Sequence, residues 1–221
     1  HKLKGHYLDT KHPIIMENLL GIKRTLGSRQ KAKKPILIND LKLIIKAIDK
    51  ERKEKIRDKA LILIGFAGGF RRSELVNICN EDIEFVNEGI KILIKRSKTD
   101  QSGEGIIKAI PYFENHEFCP VLAMKDYIKF KNDNSTEGKI FDISDKSVAL
   151  IIKRYAQIAG LDASRYAGHS LRSGFATTAA EFGAEERNIM AMTGHKTTQM
   201  VRRYIQEANL FKNNALNKIK I

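Results

Sequence analysis

The chain has 221 residues, 42% of them hydrophobic, which is enough to bury a core and excludes disorder of the whole chain. A net charge of +14, from 40 Lys and Arg against 26 Asp and Glu, favours a polyanionic partner, and nucleic acid is the first candidate. No apolar run approaches the ~18 residues that span a bilayer, and the first residues lack a signal peptide's hydrophobic segment, so we expect a cytoplasmic protein without a membrane partner.

The first half of the chain predicts helices followed by a small sheet. Residues 1–36 are basic and loosely patterned, and they predict the end of a helix and then a linker. The stretches "NDLKLIIKAID" and "KIRDKALILIGFAGG" have apolar residues at helical spacing, and the second is apolar enough to lie in the core. After a short helix around "SELVNIC", the stretch "DIEFVNEGIKILIKRSKTDQSGEGIIKAIPY" alternates apolar and polar residues. Breaks at residues 87–89 and 102–103 make it a predicted antiparallel sheet of three strands.

The second half of the chain predicts helices throughout. Their predicted bounds are Pro120 to Phe130, Asp145 to Ala159, His169 to Phe182, Ala184 to Met192 and Thr197 to Gln206. The predicted fold class is therefore mainly α with a small three-stranded antiparallel β-sheet, an α+β arrangement.

Two motifs place arginines near the starts of predicted helices. In "GFRRSEL", the glycine before the motif lets the backbone turn sharply, and Arg71 can offer a planar fork of donors to a phosphate. In "GHSLRSGFATTAAEFG", His169 and Arg172 are three residues apart, so they share a helix face and can address one ligand. A His beside a cation resists protonation, which suits a neutral imidazole acting as a base or hydrogen-bond partner. Taken alone, each motif is also compatible with a solvated face, a carboxylate partner or a capping His.

Two further stretches carry groups that could take part in proton transfer or nucleophilic attack. Lys98 lies in the polar turn "KRSKTDQSGEG", where a lysine can swing into a cleft or simply solvate the turn. In "MTGHKTTQMVRRYIQ", His195 follows a glycine and Tyr204 comes nine residues later in an amphipathic stretch. A tyrosine at such a position usually packs in a core or an interface, so spacing alone assigns it no chemistry.

The specific signal is the order of the whole set, and in it the chain resembles the tyrosine recombinases, the family of phage integrases and bacterial chromosome-dimer resolvases. The matching pieces are "GFRRSEL", "RSKTDQ", "HSLRSGFAT", "TGHKT" and "RRYIQ", and the resemblance runs from about residue 37 to 206. It assigns catalytic positions to Arg71, Lys98, His169, Arg172, His195 and Tyr204. Two points depart from the family pattern. Thr193 stands where the family commonly has Leu, and Lys95 and Lys108 also lie in the hairpin region, so they are alternatives to Lys98 as the catalytic lysine.

The resemblance implies a reaction in which Tyr204 attacks a DNA phosphate and forms a 3′-phosphotyrosine link with a free 5′-hydroxyl. Arg71 and Arg172 would clamp the non-bridging oxygens, with His195 as a further donor. His169 would be the base for the phenol, and Lys98 would protonate the departing 5′ oxygen. Neither a metal nor a nucleotide cofactor is implied.

The resemblance also implies a domain organisation and a set of partners. Residues 1–36 would be the end of an amino-terminal DNA-clamping domain plus a basic linker, and residues 37–206 the catalytic domain. Residues 207–221 would form a tail that either docks on a neighbouring protomer or folds back on its own core. The partner would be double-stranded DNA, bound by a homo-tetramer on paired sites, with a monomer in free solution and accessory DNA-bending proteins. We expect a phage or mobile-element enzyme that acts at the nucleoid in a prokaryotic cytoplasm.

Two other functions remain open on the sequence. A type IB topoisomerase shares this chemistry but relaxes supercoils as a single protomer, and the short tail after Tyr204 favours the recombinase. A DNA-binding relative without chemistry, such as an excision-control factor or a degenerate integrase, is disfavoured by the intact tyrosine and arginines.

Overall fold

The structure is a computed structural model that describes residues 9–27, 33–48, 54–95, 105–132, 138–212 and 215–219. Its chain forms two compact units, His1–Ala32 and Lys33–Ile221. The first unit contains helix α1 (Pro13–Leu26), which begins at a proline, the residue whose fixed φ suits a first helical turn. Across the described part of the chain, no helix is long and apolar enough to cross a membrane.

The second unit is mainly helical, as the sequence predicts. The helices in its described residues are α2 (Ile38–Lys46), α3 (Lys55–Ala67), α4 (Arg72–Leu75), α5 (Pro120–Asn132), α6 (Asp145–Ile158), α7 (His169–Glu181), α8 (Glu186–Thr193) and α9 (Thr198–Asn209). Helix α3 is the most continuously buried of them and packs against α5 and α7, which confirms its predicted place in the core.

The sheet is antiparallel with strand order β1 (Ile83–Val86), β2 (Gly89–Ile94) and β3 (Ile106–Pro111), as predicted. One of its faces is apolar, with Ile90, Ile92 and Ile110 fully or almost fully buried. Lys108 is paired with Ile92 in the register and points to this same buried face. The predicted second turn, at residues 102–103, lies outside the described residues, as does Lys98.

Most predicted helix boundaries lie within two or three residues of the observed ones, and the short helix around "SELVNIC" is the largest discrepancy. Helix α4 ends at Leu75, because the chain turns away there and Cys79 pairs as an isolated β-bridge with Lys139. The backbone N–H of Cys79 donates to Asp82 Oδ2 at 2.9 Å, which satisfies it without a helix.

A second, smaller apolar cluster joins α7, α8 and α9. It is built from Ala176, Ala180, Ile189 and Val201, with the ring of Tyr204 packed at its edge. The small residues of α7 let the other two helices approach closely, and Val201 anchors the amphipathic helix α9. The cluster therefore determines where the tyrosine lies.

Candidate active site

A sharp turn after α3 positions the first predicted arginine. Gly69 has φ +54°, a conformation that favours glycine, and Arg71 follows as the residue before α4. The carboxylate of Glu74 accepts the Arg71 backbone N–H at 2.9 Å and Arg71 Nη1 at 2.5 Å. Arg71 Nη2 donates to the Gly194 carbonyl at 3.3 Å, so this guanidinium bridges the turn to the end of α8.

The second predicted arginine lies on α7 and is buried, with 3% of its surface exposed. Arg172 Nη1 donates to the carbonyl of Gly69 at 2.9 Å, which ties α7 to the same glycine turn. Burial, together with the charge of Arg71, lowers the pKa of Arg172 to about 10, so it stays positively charged at neutral pH. Two arginines therefore converge with orientations set by backbone carbonyls and one carboxylate.

His169 is the first residue of α7 and lies at the rim of a cavity of about 320 Å³, which it lines with Arg71, Arg72 and Asp145. Partial burial of the imidazole, followed by the charges of Arg172 and the other two arginines, lowers its pKa below the usual 6.5. The direction of this shift agrees with the expectation that His169 resists protonation. No three His, Cys, Asp or Glu side chains within the described ranges are grouped so that they could hold a metal ion.

The second histidine follows the left-handed Gly194 that ends α8, with φ 63° and ψ 39°. His195 Nδ1 lies 2.8 Å from the hydroxyl oxygen of Thr193, the last residue of that helix. Partial burial and then the charges of Arg172 and Arg71 lower the pKa of His195 to about 4, so the ring is neutral at physiological pH.

The predicted nucleophile lies directly against this histidine. The rings of Tyr204 and His195 are stacked, with centroids 5.9 Å apart and planes at 30°. Tyr204 is half-buried and close enough to Arg172 to interact with it electrostatically. The structure thus brings five of the six predicted residues together in one chain, and the sixth, Lys98, lies outside the described residues.

A buried lysine joins the site from the sheet. Lys108 has 3% of its surface exposed, and its Nζ donates to the carbonyls of Gly68 at 2.7 Å and Met192 at 2.6 Å. It lies 3.9 Å from Glu74 Oε2 and 4.4 Å from the ring centroid of Phe70. The pKa of Lys108 is lowered to about 7, and burial is the main cause. The charge of Glu74 opposes this shift, whereas the charges of Arg172 and Arg71 add to it. The ammonium links the glycine turn after α3 to the end of α8.

Comparison with known proteins gives the class of this chain. The profile of the phage integrase family matches residues 36–210, and the chain belongs to that family. It is 43% identical over 227 residues to an integrase/recombinase XerD homolog of Selenomonas ruminantium, covering 97% of this chain and 66% of the relative. It is 32% identical over 177 residues to the tyrosine recombinase XerC of Staphylococcus epidermidis, covering 77% and 56% respectively. The chain therefore spans less than two thirds of these relatives' length.

Solved structures show the same fold. The XerA recombinase superposes with a TM-score of 0.66 at 18% identity, covering 99% of this chain and 79% of that one. The XerH site-specific recombinase in a post-cleavage complex with its palindromic difH substrate gives a TM-score of 0.64 at 18% identity, covering 82% and 54%. The fold expected from the resemblance, mainly helical with one small sheet, is confirmed.

Proposed function

We propose that this chain is the catalytic part of a site-specific recombinase that cleaves and rejoins DNA through a 3′-phosphotyrosine intermediate. The observation that carries the proposal is that Tyr204 stacks on His195 within the electrostatic reach of Arg172, while Arg71 bridges to the residue before His195 and lines one cavity with His169, all within a single chain. A tyrosine stacked on a neutral histidine beside two cations has few structural explanations and matches what phosphodiester cleavage requires.

The arginines stabilise the negative charge that develops on the phosphate oxygens in the transition state. Their orientations are preset by the carbonyls of Gly69 and Gly194 and by the Glu74 carboxylate. Guanidinium donors held in place before the substrate arrives stabilise negative charge on a phosphate without reorganising at the moment of reaction. Removing one such donor typically costs a factor of ~10² to 10³ in rate.

Proton transfers fall to the histidines and to a lysine. The free phenol of a tyrosine has a pKa near ~10, so Tyr204 needs a proton acceptor at neutral pH. Partial burial and then the charges of its arginine neighbours lower the pKa of His169, which keeps it neutral, and it serves as that acceptor. Lys98 protonates the 5′ oxygen as it leaves, and reversal of the two roles lets another 5′-hydroxyl attack the phosphotyrosine.

The partner is double-stranded DNA. The net charge of +14 supports this, and several proteins of the same fold are known in DNA complexes, among them a lambda integrase dimer on its COC′ core site and the Tn1549 transposon integrase with circular-intermediate DNA. Exchange between two sites requires four active sites, which is met by a tetramer on paired sites. Large apolar residues after α9, with Leu210 63% and Phe211 86% exposed, support docking of this segment on a neighbour.

The biological setting is either a mobile element or the host chromosome. The similar proteins include Xer recombinases as well as a transposon integrase, so they support a cellular role as much as a phage or mobile-element role. In either setting the enzyme acts on DNA in a prokaryotic cytoplasm.

Covalent trapping tests the proposal. The protein is mixed with a pool of nicked duplexes, denatured in detergent and examined for protein that migrates with attached DNA. We expect an adduct with the wild type and none with Tyr204→Phe, while Tyr127→Phe, which changes a buried tyrosine of α5, retains it. Absence of an adduct from both this chain and a longer form that includes its flanking residues would overturn the proposal. Relaxation of supercoiled DNA without paired sites would favour the topoisomerase instead.

A further inference from the structure

The hydroxyl of Thr193 makes two close polar contacts at the end of α8, one with an oxygen and one with a nitrogen. Its side chain is fully buried, and Oγ1 lies 2.6 Å from the carbonyl oxygen of Ile189 and 2.8 Å from Nδ1 of His195. Its methyl group faces the glycine turn, since a Cβ added at Gly69 would lie 3.2 Å from Thr193 Cγ2. The rotamer is thereby fixed, and with it the direction of the hydroxyl.

The number of available protons decides which atom donates in each contact. A carbonyl oxygen only accepts, so the single hydroxyl proton of Thr193 points to Ile189, because two oxygens at 2.6 Å need a proton between them. The contact with His195 then requires the ring nitrogen to donate, which places a proton on Nδ1. A neutral imidazole carries one ring proton, and the other nitrogen, Nε2, keeps its lone pair.

We infer that Thr193 is a positioning residue that holds His195 as the Nδ1–H tautomer and leaves Nε2 as a hydrogen-bond acceptor. This inference deepens the proposed function and rests on it only for its consequence in the reaction. The family resemblance assigns His195 as a phosphate donor, and a leucine, the common residue at position 193, would leave either tautomer open. Here Nε2 donates to a phosphate oxygen only after it has taken up a proton.

The charged groups around His195 determine under which conditions Nε2 takes up that proton. Arg71 from the turn before α4, Arg172 and His169 from α7, and Lys108 from β3 all oppose a positive imidazole. The ring of Tyr204 from α9 covers one face. A bound phosphodiester brings a negative charge that offsets these cations, so phosphate binding and protonation of Nε2 are coupled. Thr193 accepts from Nδ1–H in both the neutral and the charged form.

Nitrogen-15 NMR of the histidine side chains tests the inference on the full chain without DNA. Protonated and unprotonated ring nitrogens differ strongly in chemical shift, and His195→Gln identifies the signals. We expect a protonated Nδ1 and an unprotonated Nε2 in the wild type and in Thr193→Ser, which keeps the hydroxyl. In Thr193→Val, which keeps the shape, the Nδ1 signal should move toward the unprotonated position. An Nε2–H tautomer in the wild type, or an unchanged tautomer in Thr193→Val, would overturn the inference.

A second measurement separates positioning from a purely structural role. The rate of adduct formation is followed against pH for the wild type and both variants. Without the Thr193 acceptor the neutral ring can carry its proton on Nε2 and donate it to the phosphate directly, so the rate of Thr193→Val should fall less as the pH rises than the rate of the wild type, while Thr193→Ser keeps the wild-type profile. A uniform loss of rate with an unshifted profile would contradict the inference. The NMR result does not depend on cleavage, so it holds or fails separately from the proposed function.

Discussion

Glu74 holds Arg71 at two points, accepting its backbone N–H at 2.9 Å and its Nη1 at 2.5 Å, while 4% of the Glu74 side chain is exposed. One carboxylate therefore fixes both the backbone and the guanidinium of the same residue. Glu74 Oε2 also lies 3.9 Å from Lys108 Nζ, so the same carboxylate lies beside two basic side chains of the site.

Glu74→Gln should slow the reaction. The amide keeps the size of the side chain but removes the charge that orients Arg71, and hydrogen bonds to charged groups contribute ~1.5–3 kcal/mol. We expect adduct formation on nicked duplexes to slow by about 10- to 100-fold. Glu81→Gln, which changes an exposed acid paired with Lys95, serves as the matched control and should keep the wild-type rate. Equal rates for the two variants would contradict this role of Glu74.

A leaving-group substitution separates Lys98 from Lys108. When sulfur replaces the bridging 5′ oxygen of the scissile phosphate, the thiolate departs without protonation, because a thiol has a pKa near ~8.5. We expect this substrate to restore cleavage by Lys98→Ala and not by Lys108→Met, since Lys108 is committed to the carbonyls of Gly68 and Met192. Rescue of Lys108→Met alone would transfer the role of general acid to Lys108.

The buried lysine should also make stability depend on pH. The unfolded chain binds a proton at Lys108 up to about pH 10.5, whereas the folded chain binds it only up to about pH 7. The free energy of unfolding therefore rises as the pH increases from 7 toward 10.5, by about 1 kcal/mol per pH unit, because the unfolded chain holds a proton that the folded chain has lost. Denaturant unfolding between about pH 7.5 and 9.5 should show this rise in the wild type and not in Lys108→Met. The control Lys91→Met, at a half-buried position of β2, should retain it.

Much of this architecture could be predicted from the sequence, since long helices and alternating strands leave clear periodic patterns. Five of the six predicted site residues lie together in the structure, and they could be singled out because they lie in recognisable short motifs; the sixth, Lys98, stays a prediction. The contacts that orient Arg71, Arg172 and Lys108 could not be predicted, because the backbone carbonyls that accept from these side chains carry no side-chain signal and meet only in the fold. One signal was available for Lys108: in "IIKAIP" it alternates in phase with the buried Ile110, which places a charge on the apolar face.

Replacement of Gly174 should displace the segment that precedes α2. A Cβ at this position would lie 2.0 Å from the Ile36 carbonyl oxygen, and the Ile36 N–H donates to the Ser170 carbonyl on α7 at 2.9 Å. Gly174→Ala should lower the free energy of unfolding by about 1–3 kcal/mol or more, as overpacking does. Gly21→Ala in α1, where nothing lies within 4 Å of the added methyl, should not be destabilising. Thermal or denaturant unfolding of the two variants checks the contrast.

The histidine beside the tyrosine should couple folding and DNA binding to pH in opposite directions. Its pKa of about 4 lies below the value of about 6.5 in the unfolded chain, so the free protein loses stability as the pH falls from about 6.5 to about 4. A duplex that places its phosphate against His195, Arg71 and Arg172 raises that pKa. Protonation then strengthens the complex, and affinity for the duplex should increase as the pH falls from about 7.5 to about 5.5.

The measurement is DNA affinity at constant ionic strength, with unfolding followed in parallel. His195→Gln should weaken both dependences and leave the part that His169 contributes, whereas His116→Gln, at an exposed position, should weaken neither. A wild-type affinity that is independent of pH would show that the phosphate does not draw a proton onto this ring.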